Sequence, residues 1–136
     1  MKRFELKKDS LPYPPKSNQS GLNVQECLPK KISWEDLKGV KRSIECEEGV
    51  VVKQFEHTIG VIEAPYVASK NSAYLVTLEN VLIAKLPLTH GGQALAYYDI
   101  LVRSSELIFL AASNHGDFQI SVVPEDGLVN SIKEFR

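Results

Sequence analysis

The chain has 136 residues, 43% of them hydrophobic and 24% charged, with a formal net charge of −1. A single domain of that length buries roughly two-thirds of its unfolded surface without metals or cross-links. Its two cysteines, Cys27 and Cys46, do not make a disulfide framework. No apolar run approaches the length of a membrane span, and the charged stretch Met1–Asp9 lacks the apolar segment of a secretory signal, so the expected compartment is the cytoplasm. The small net charge hides an asymmetry. Residues 1–42 hold ten Lys/Arg against five Asp/Glu, a net +5, and residues 43–136 hold six against twelve, a net −6. A basic leader precedes an acidic body, and charge of one sign gathered on one body points to a partner of the other sign.

Residues 1–31 read as an extended basic N-terminal arm. Leu11-Pro12-Tyr13-Pro14-Pro15-Lys16 favours a polyproline-like path, and the Pro12/Pro15 spacing is that of a stiff spacer. Residues 32–136 read as one β domain. Ser33-Trp34-Glu35-Asp36-Leu37-Lys38-Gly39 has the pattern of a short helical turn, with Ser33 as cap, acids at its positive end and Gly39 closing it. Trp34 is expected to anchor this turn on the core. From Val40 onward the chain alternates strands and turns. Glu47-Glu48-Gly49 is a tight connection between Val40–Cys46 and Val50–Phe55. Thr58–Ile62 follows, with Gly60 marking a bulge or a close backbone approach. Pro65 and the Gly60 irregularity mark a candidate sheet edge.

The stretch Ala73–Leu86 poses a choice. The apolar parity Tyr74, Val76, Leu78, Leu82, Ala84, Leu86 favours one long strand curved near Asn80. The resulting length, about 45 Å at the usual rise, favours a hairpin turning at Glu79-Asn80. The parity tips the expectation towards the single strand. After the Pro87–Gly92 loop, Ala94–Arg103 alternates, with Ala94, Ala96, Tyr98, Ile100 and Val102 inward and Tyr97, Asp99 and Arg103 outward. Ser104-Ser105 turns the chain. Leu107–Ala112 is apolar throughout and reads as a central strand covered on both faces. Ser113–Asp117 is a strong turn, Phe118, Ile120 and Val122 mark a half-exposed strand, and Pro124–Gly127 turns again. The spacing of Leu128, Ile132 and Phe135 is compatible with a terminal helical turn. About eight strands with short connections and no helix between them predict an antiparallel β-sandwich or a partly open β-barrel.

Chemistry-bearing patterns are few. Gly91-Gly92-Gln93 matches a tripeptide of translation termination factors and nothing more of them; paired glycines ahead of a strand read as a hairpin loop. His57, His90 and His115 lie beside turns without the close spacing of metal ligands. The sequence contains no nucleophile elbow, phosphate-binding loop, zinc-protease motif or calcium loop, and no cofactor, metal or catalytic residue is assigned. The acidic body would repel a phosphate backbone, so direct nucleic-acid binding by the β domain is not expected. What remains is a non-enzymatic protein-binding module. The concrete case is a small inhibitor of the immunity type, whose acidic surface caps a basic, nucleic-acid-degrading toxin. The expected contact residues are Glu47, Glu48, Asp99, Asp117, Glu125 and Asp126, with Tyr97 as an aromatic anchor. The alternatives are a ligand-binding or enzymatic site where the loops of His90, His115 and Asp117 gather, and an assembly subunit acting through an edge strand.

Overall fold

The computed structural model describes residues 7–9, 29–64 and 70–135, with the backbone alone at 7–9 and 135. Three antiparallel sheets account for the body. The first pairs β1 (Lys7–Asp9), β2 (Lys31–Glu35) and β3 (Lys41–Glu45) in that order. The second runs β4 (Val50–Phe55), β5 (Thr58–Glu63), β6 (Ser72–Thr77) and β7 (Leu82–Lys85). A two-residue pair, β8 (Thr89–His90) with β9 (Gln93–Ala94), leads into the third sheet. That sheet runs β10 (Ala96–Arg103), β11 (Glu106–Ser113), β12 (Gly116–Val122) and β13 (Val129–Phe135). Neighbours within each sheet are consecutive in sequence, and short turns between amphipathic strands dictate this meander. The mainly β, sandwich-like architecture expected from the sequence is what forms, with no closed barrel. The described residues form thirteen strands, several of them short. Of the arm, Lys7–Asp9 pairs with β2 and Lys31 opens β2; the proline-rich stretch and Cys27 lie outside the described residues.

The sheets stack in three layers, with β4–β7 in the middle. Alternation along the middle strands shows this directly. Ile59, Val61, Val50, Val76 and Leu78 pack with Ile32, Trp34 and Ile44 of the first sheet. Ile62, Ala73 and Leu75 pack with Tyr97, Ile100, Leu107, Phe109 and Ile120 of the third. β5 is therefore buried on both faces, from Thr58 to Ile62. Gly60 is the close approach that its place in a strand suggested: a Cβ there would lie 3.0 Å from Cζ of Phe109. It does not mark an edge, since β5 sits between β4 and β6. Pro65 lies outside the described residues. Thr58 ties the layers at one end, its hydroxyl donating to the Pro124 carbonyl at 2.9 Å. Asn71 ties them at the other: its amide donates to the Tyr97 and Glu63 carbonyls at 2.9 and 3.3 Å and accepts the Tyr97 N–H at 2.7 Å.

Four local expectations are corrected. The stretch 33–39 is not helical: Ile32 and Trp34 alternate inward on β2, and burial at period two overrides the capping pattern. Asp36 then serves the turn, accepting the N–H groups of Lys38 and Val40 at 2.8 and 3.0 Å and pairing with Arg42 at 3.0 Å. The C-terminal segment is strand β13, not a helical turn; Ile132 pairs with Ile120, and cross-strand bonding decides the conformation. Ala73–Leu86 is a hairpin. Asn80 takes φ 64°, and the Thr77 hydroxyl accepts the N–H groups of Glu79 and Val81 at 3.2 and 3.1 Å. Finally, the register slips between Tyr97 and Asp99. A bulge flips the parity before it, so Leu95 and Tyr97 are buried where Ala94 and Ala96 were expected.

Burial alone would raise the Asp36 carboxyl; the Val40 N–H, Arg42 and the Lys38 N–H outweigh it and hold it below its ordinary value. A depressed carboxylate stabilises the fold above its unfolded pKa, and that contribution is lost as pH falls through the folded value. Asp36→Asn is accordingly expected to lower stability at neutral pH, with the gap to the parent closing in acid below the carboxylate range. Urea unfolding of both proteins at neutral pH and in acid checks this; a gap constant with pH refutes it.

Candidate functional site: the outer face of the acidic sheet

The layers differ in charge. Residues 29–46, which form the outer β2–β3 hairpin, carry five Lys/Arg (Lys30, Lys31, Lys38, Lys41, Arg42) against three Asp/Glu. Residues 96–135, which form the opposite outer sheet, carry Arg103 and Lys133 against six Asp/Glu. The asymmetry along the sequence thus becomes an asymmetry between the two outsides of the stack.

The register defines what the acidic sheet presents. Leu107, Phe109 and Ala111 point to the core, so their neighbours in β11 share the other face. One row across that face is Asp99, Leu110, Gln119, Lys133, and the next is Leu101, Ile108, Ser121, Ser131. Ile108 and Ser121 are buried at its centre, while Asp99 and Lys133 are exposed at its margins. The charge this face presents therefore lies at its margins. Asp117, opposite Ala112, accepts the Tyr98 hydroxyl at 2.8 Å. Burial, the Asp117 hydrogen bond and the charges of Asp117 and Asp99 push the Tyr98 phenol up to about 12. Both carboxylates are therefore within electrostatic reach of one hydroxyl. Asp99 also accepts the Ile100 N–H at 2.8 Å. Among the described residues, neither Asp99 nor Asp117 forms an ion pair.

The remaining expected contacts lie in two turns at opposite ends of the stack. Glu125 and Asp126 lie in the β12–β13 turn of the same sheet, beside Pro124 and hence at the end of the stack marked by Thr58. Glu47 and Glu48 lie in the β3–β4 turn, the length of β4 away, about 20 Å at the usual rise. Glu47 lines an open groove of about 530 Å³ with Lys30, Lys31, Glu45 and Cys46, beside the β2–β3 hairpin and outside the acidic sheet. The Lys31–Glu45 pair there, at 3.9 Å and exposed, contributes little. Tyr97 is not an anchor for a partner. It is 1% exposed, its hydroxyl donates to the Pro87 carbonyl at 2.6 Å, and burial raises its pKa. The same bulge that buries Tyr97 puts Tyr98 beside Asp117. A period-two reading cannot see a one-residue slip, so Tyr98 went unnoticed as the aromatic of this face.

The His90 loop lies beside the start of β12. His90 packs edge-on against the Phe118 ring, 5.2 Å between centroids, and His115 is exposed at the β11–β12 turn. Among the described residues, no group of three His, Cys, Asp or Glu could hold a metal ion. No described helix is long and apolar enough to cross a membrane. Cys46 is a free thiol, 3.5 Å from the Ala64 carbonyl.

No protein-family model matches the chain, and no curated protein matches it in sequence. Among solved structures, a chain of the complex of Tne2 with Tni2 has a similar fold, with a TM-score of 0.65. The two are 14% identical, and the match covers 86% of this chain and 90% of that one. At that identity the likeness is one of fold.

Proposed function

We propose that this protein is a non-enzymatic binding module of the immunity type, acting in the cytoplasm, whose acidic outer sheet caps a basic protein such as a nucleic-acid-degrading toxin. The carrying observation is the excess of carboxylates on residues 96–135, with Asp99 and Asp117 both within electrostatic reach of Tyr98 and without ion pairs among the described residues. Carboxylates held this way match a surface of Lys and Arg evolved to hold phosphate, and such complementarity raises the encounter rate and excludes wrong partners. That a chain of similar fold occurs in a complex of two proteins supports the reading.

Charge reversal tests it. Asp99→Lys and Asp117→Lys are each expected to weaken capture of the basic partner by about tenfold, within the range for close charge pairs across an interface. Reversal at Glu47, in the β3–β4 turn outside that sheet, is expected to change it little. Affinity should fall as salt rises. The proposal fails if the partner that copurifies is acidic, or if capture ignores both salt and the two reversals.

A further inference from the structure

The acidic sheet ends in an edge that the described structure leaves unpaired. β13 bonds to β12 on one side and to no described strand on the other. The remaining edges are blocked or short. β10 packs beside β4. β3 is studded with Lys41, Arg42 and Glu45, and the Asn80 amide donates to its Ser43 carbonyl at 3.1 Å. β1 and β7 have three and four residues. β13 has seven residues and no proline. An uncovered edge of that length is a template for another strand.

The flank beside it is apolar. The β12–β13 turn packs on β7, where Gly127 (φ 73°) leaves no room for a Cβ against that of Ala84. Around this contact, Leu128 (65%), Val81 (59%), Leu82 (50%) and Val129 (41%) are exposed, four of the eight large hydrophobic residues that are. Patches of this kind mark interaction surfaces.

We propose that this edge is a homodimer interface in which β13 pairs antiparallel with β13 of a second copy, centred on Ile132. The occupant follows from self-complementarity. Antiparallel partners share a face, and a two-fold axis normal to the sheet maps each face onto itself, so a symmetric pairing must centre on a residue. Centring on Lys133 or Glu134 sets like charges opposite each other, which is destabilising. Centring on Ile132 lets all seven positions find partners: Ile132 faces its copy, Ser131 faces Lys133, Asn130 faces Glu134 and Val129 faces Phe135. The irregularity in the pairing with β12, at Asn130, lies outside the central Ser131–Lys133 stretch. The two acidic sheets then form one sheet of eight strands, with the Leu128–Val129 end of each β13 against the Phe135 end of the other.

Sedimentation equilibrium of the full chain across the micromolar range is the test. The expected mass is twice 15.2 kDa. Ser131→Lys places a lysine opposite Lys133 twice over, and should raise the dimer dissociation constant about tenfold or more. Ser131→Glu should lower it, since each new carboxylate faces a lysine. The exchange S131K/K133S restores both pairs and should restore the parent constant. Opposite shifts from one position cannot come from a failure to fold. A parent that stays monomeric throughout overturns the proposal, as does a dimer indifferent to the charge at residue 131. The capture test changes Asp99 and Asp117 on β10 and β12 and leaves β13 untouched, so its outcome is separable from this one.

Discussion

Phe109→Ala is expected to cost about 3–5 kcal/mol of stability and to lower the melting temperature by roughly 10–20 °C. Phe109 is fully buried at the centre of the interface between the middle and acidic sheets. It is flanked by Ile100 and Ile120 in register and stands edge-on to Tyr97, with 6.1 Å between ring centroids and 90° between planes. The space it fills exists because Gly60 has no side chain. Neither neighbour can move into the vacancy. Tyr97 is pinned by the Pro87 carbonyl and by Asn71, and the Gly60 backbone sits in an interior strand. The cavity should therefore stay open, which puts the cost in the upper part of the range. Gly60→Ala approaches the same contact from the other side and should cost about 1–3 kcal/mol through overpacking. Combined with Phe109→Leu it should cost less than the sum, because the shorter side chain makes room. Thermal and urea unfolding of the three variants decide this. Additivity of the double variant would show that the two residues are not in contact, and the geometry would be wrong.

The elements that could be read from the chain are those whose alternation is unbroken and whose turns carry their own signal. Val50–Phe55, Thr58–Ile62 and Leu107–Ala112 are recognisable as strands because they are short, largely apolar runs bounded by turns, and the turns at Ser104-Ser105 and Pro124–Gly127 fall where polar residues and glycine cluster. The failures have distinct causes. At 33–39 local capping chemistry and tertiary burial disagree, and burial of Trp34 prevails. At Asn80 both faces continue the same apolar parity across the turn, so the pattern is blind to the reversal. At Tyr97 a single bulged residue inverts the faces. The candidate site was half legible. The acidic sign of the body is a matter of counting, but Asp99 and Asp117 are brought to one face only through the β10–β11–β12 register, and Glu47, in the β3–β4 turn, takes no part in it. Composition fixes how much charge there is; pairing decides which layer presents it.

The three-layer stack makes a second strong prediction, at the basic layer. Trp34 is 3% exposed, and its indole N–H donates to the Leu78 carbonyl at 2.8 Å inside the β6–β7 turn. It is therefore both the largest side chain between the first two layers and a polar tie across them. Trp34→Ala should cost about 3–5 kcal/mol. The loss should also be local, because the β2–β3 hairpin adds a layer to a middle sheet already packed against β10–β13 on its other face. Trp34→Phe keeps most of the packing and deletes the bond. It leaves the Leu78 carbonyl without its buried donor and should cost about 1–3 kcal/mol. Hydrogen exchange separates local from global loss. In Trp34→Ala, amides of Ile32–Ile44 should lose protection while those of Leu107–Val122 keep theirs. Equal loss in both would mean that the layers fold as one cooperative unit, and that the basic hairpin cannot detach to bare Val50, Ile59 and Val61 without unfolding the acidic sheet as well.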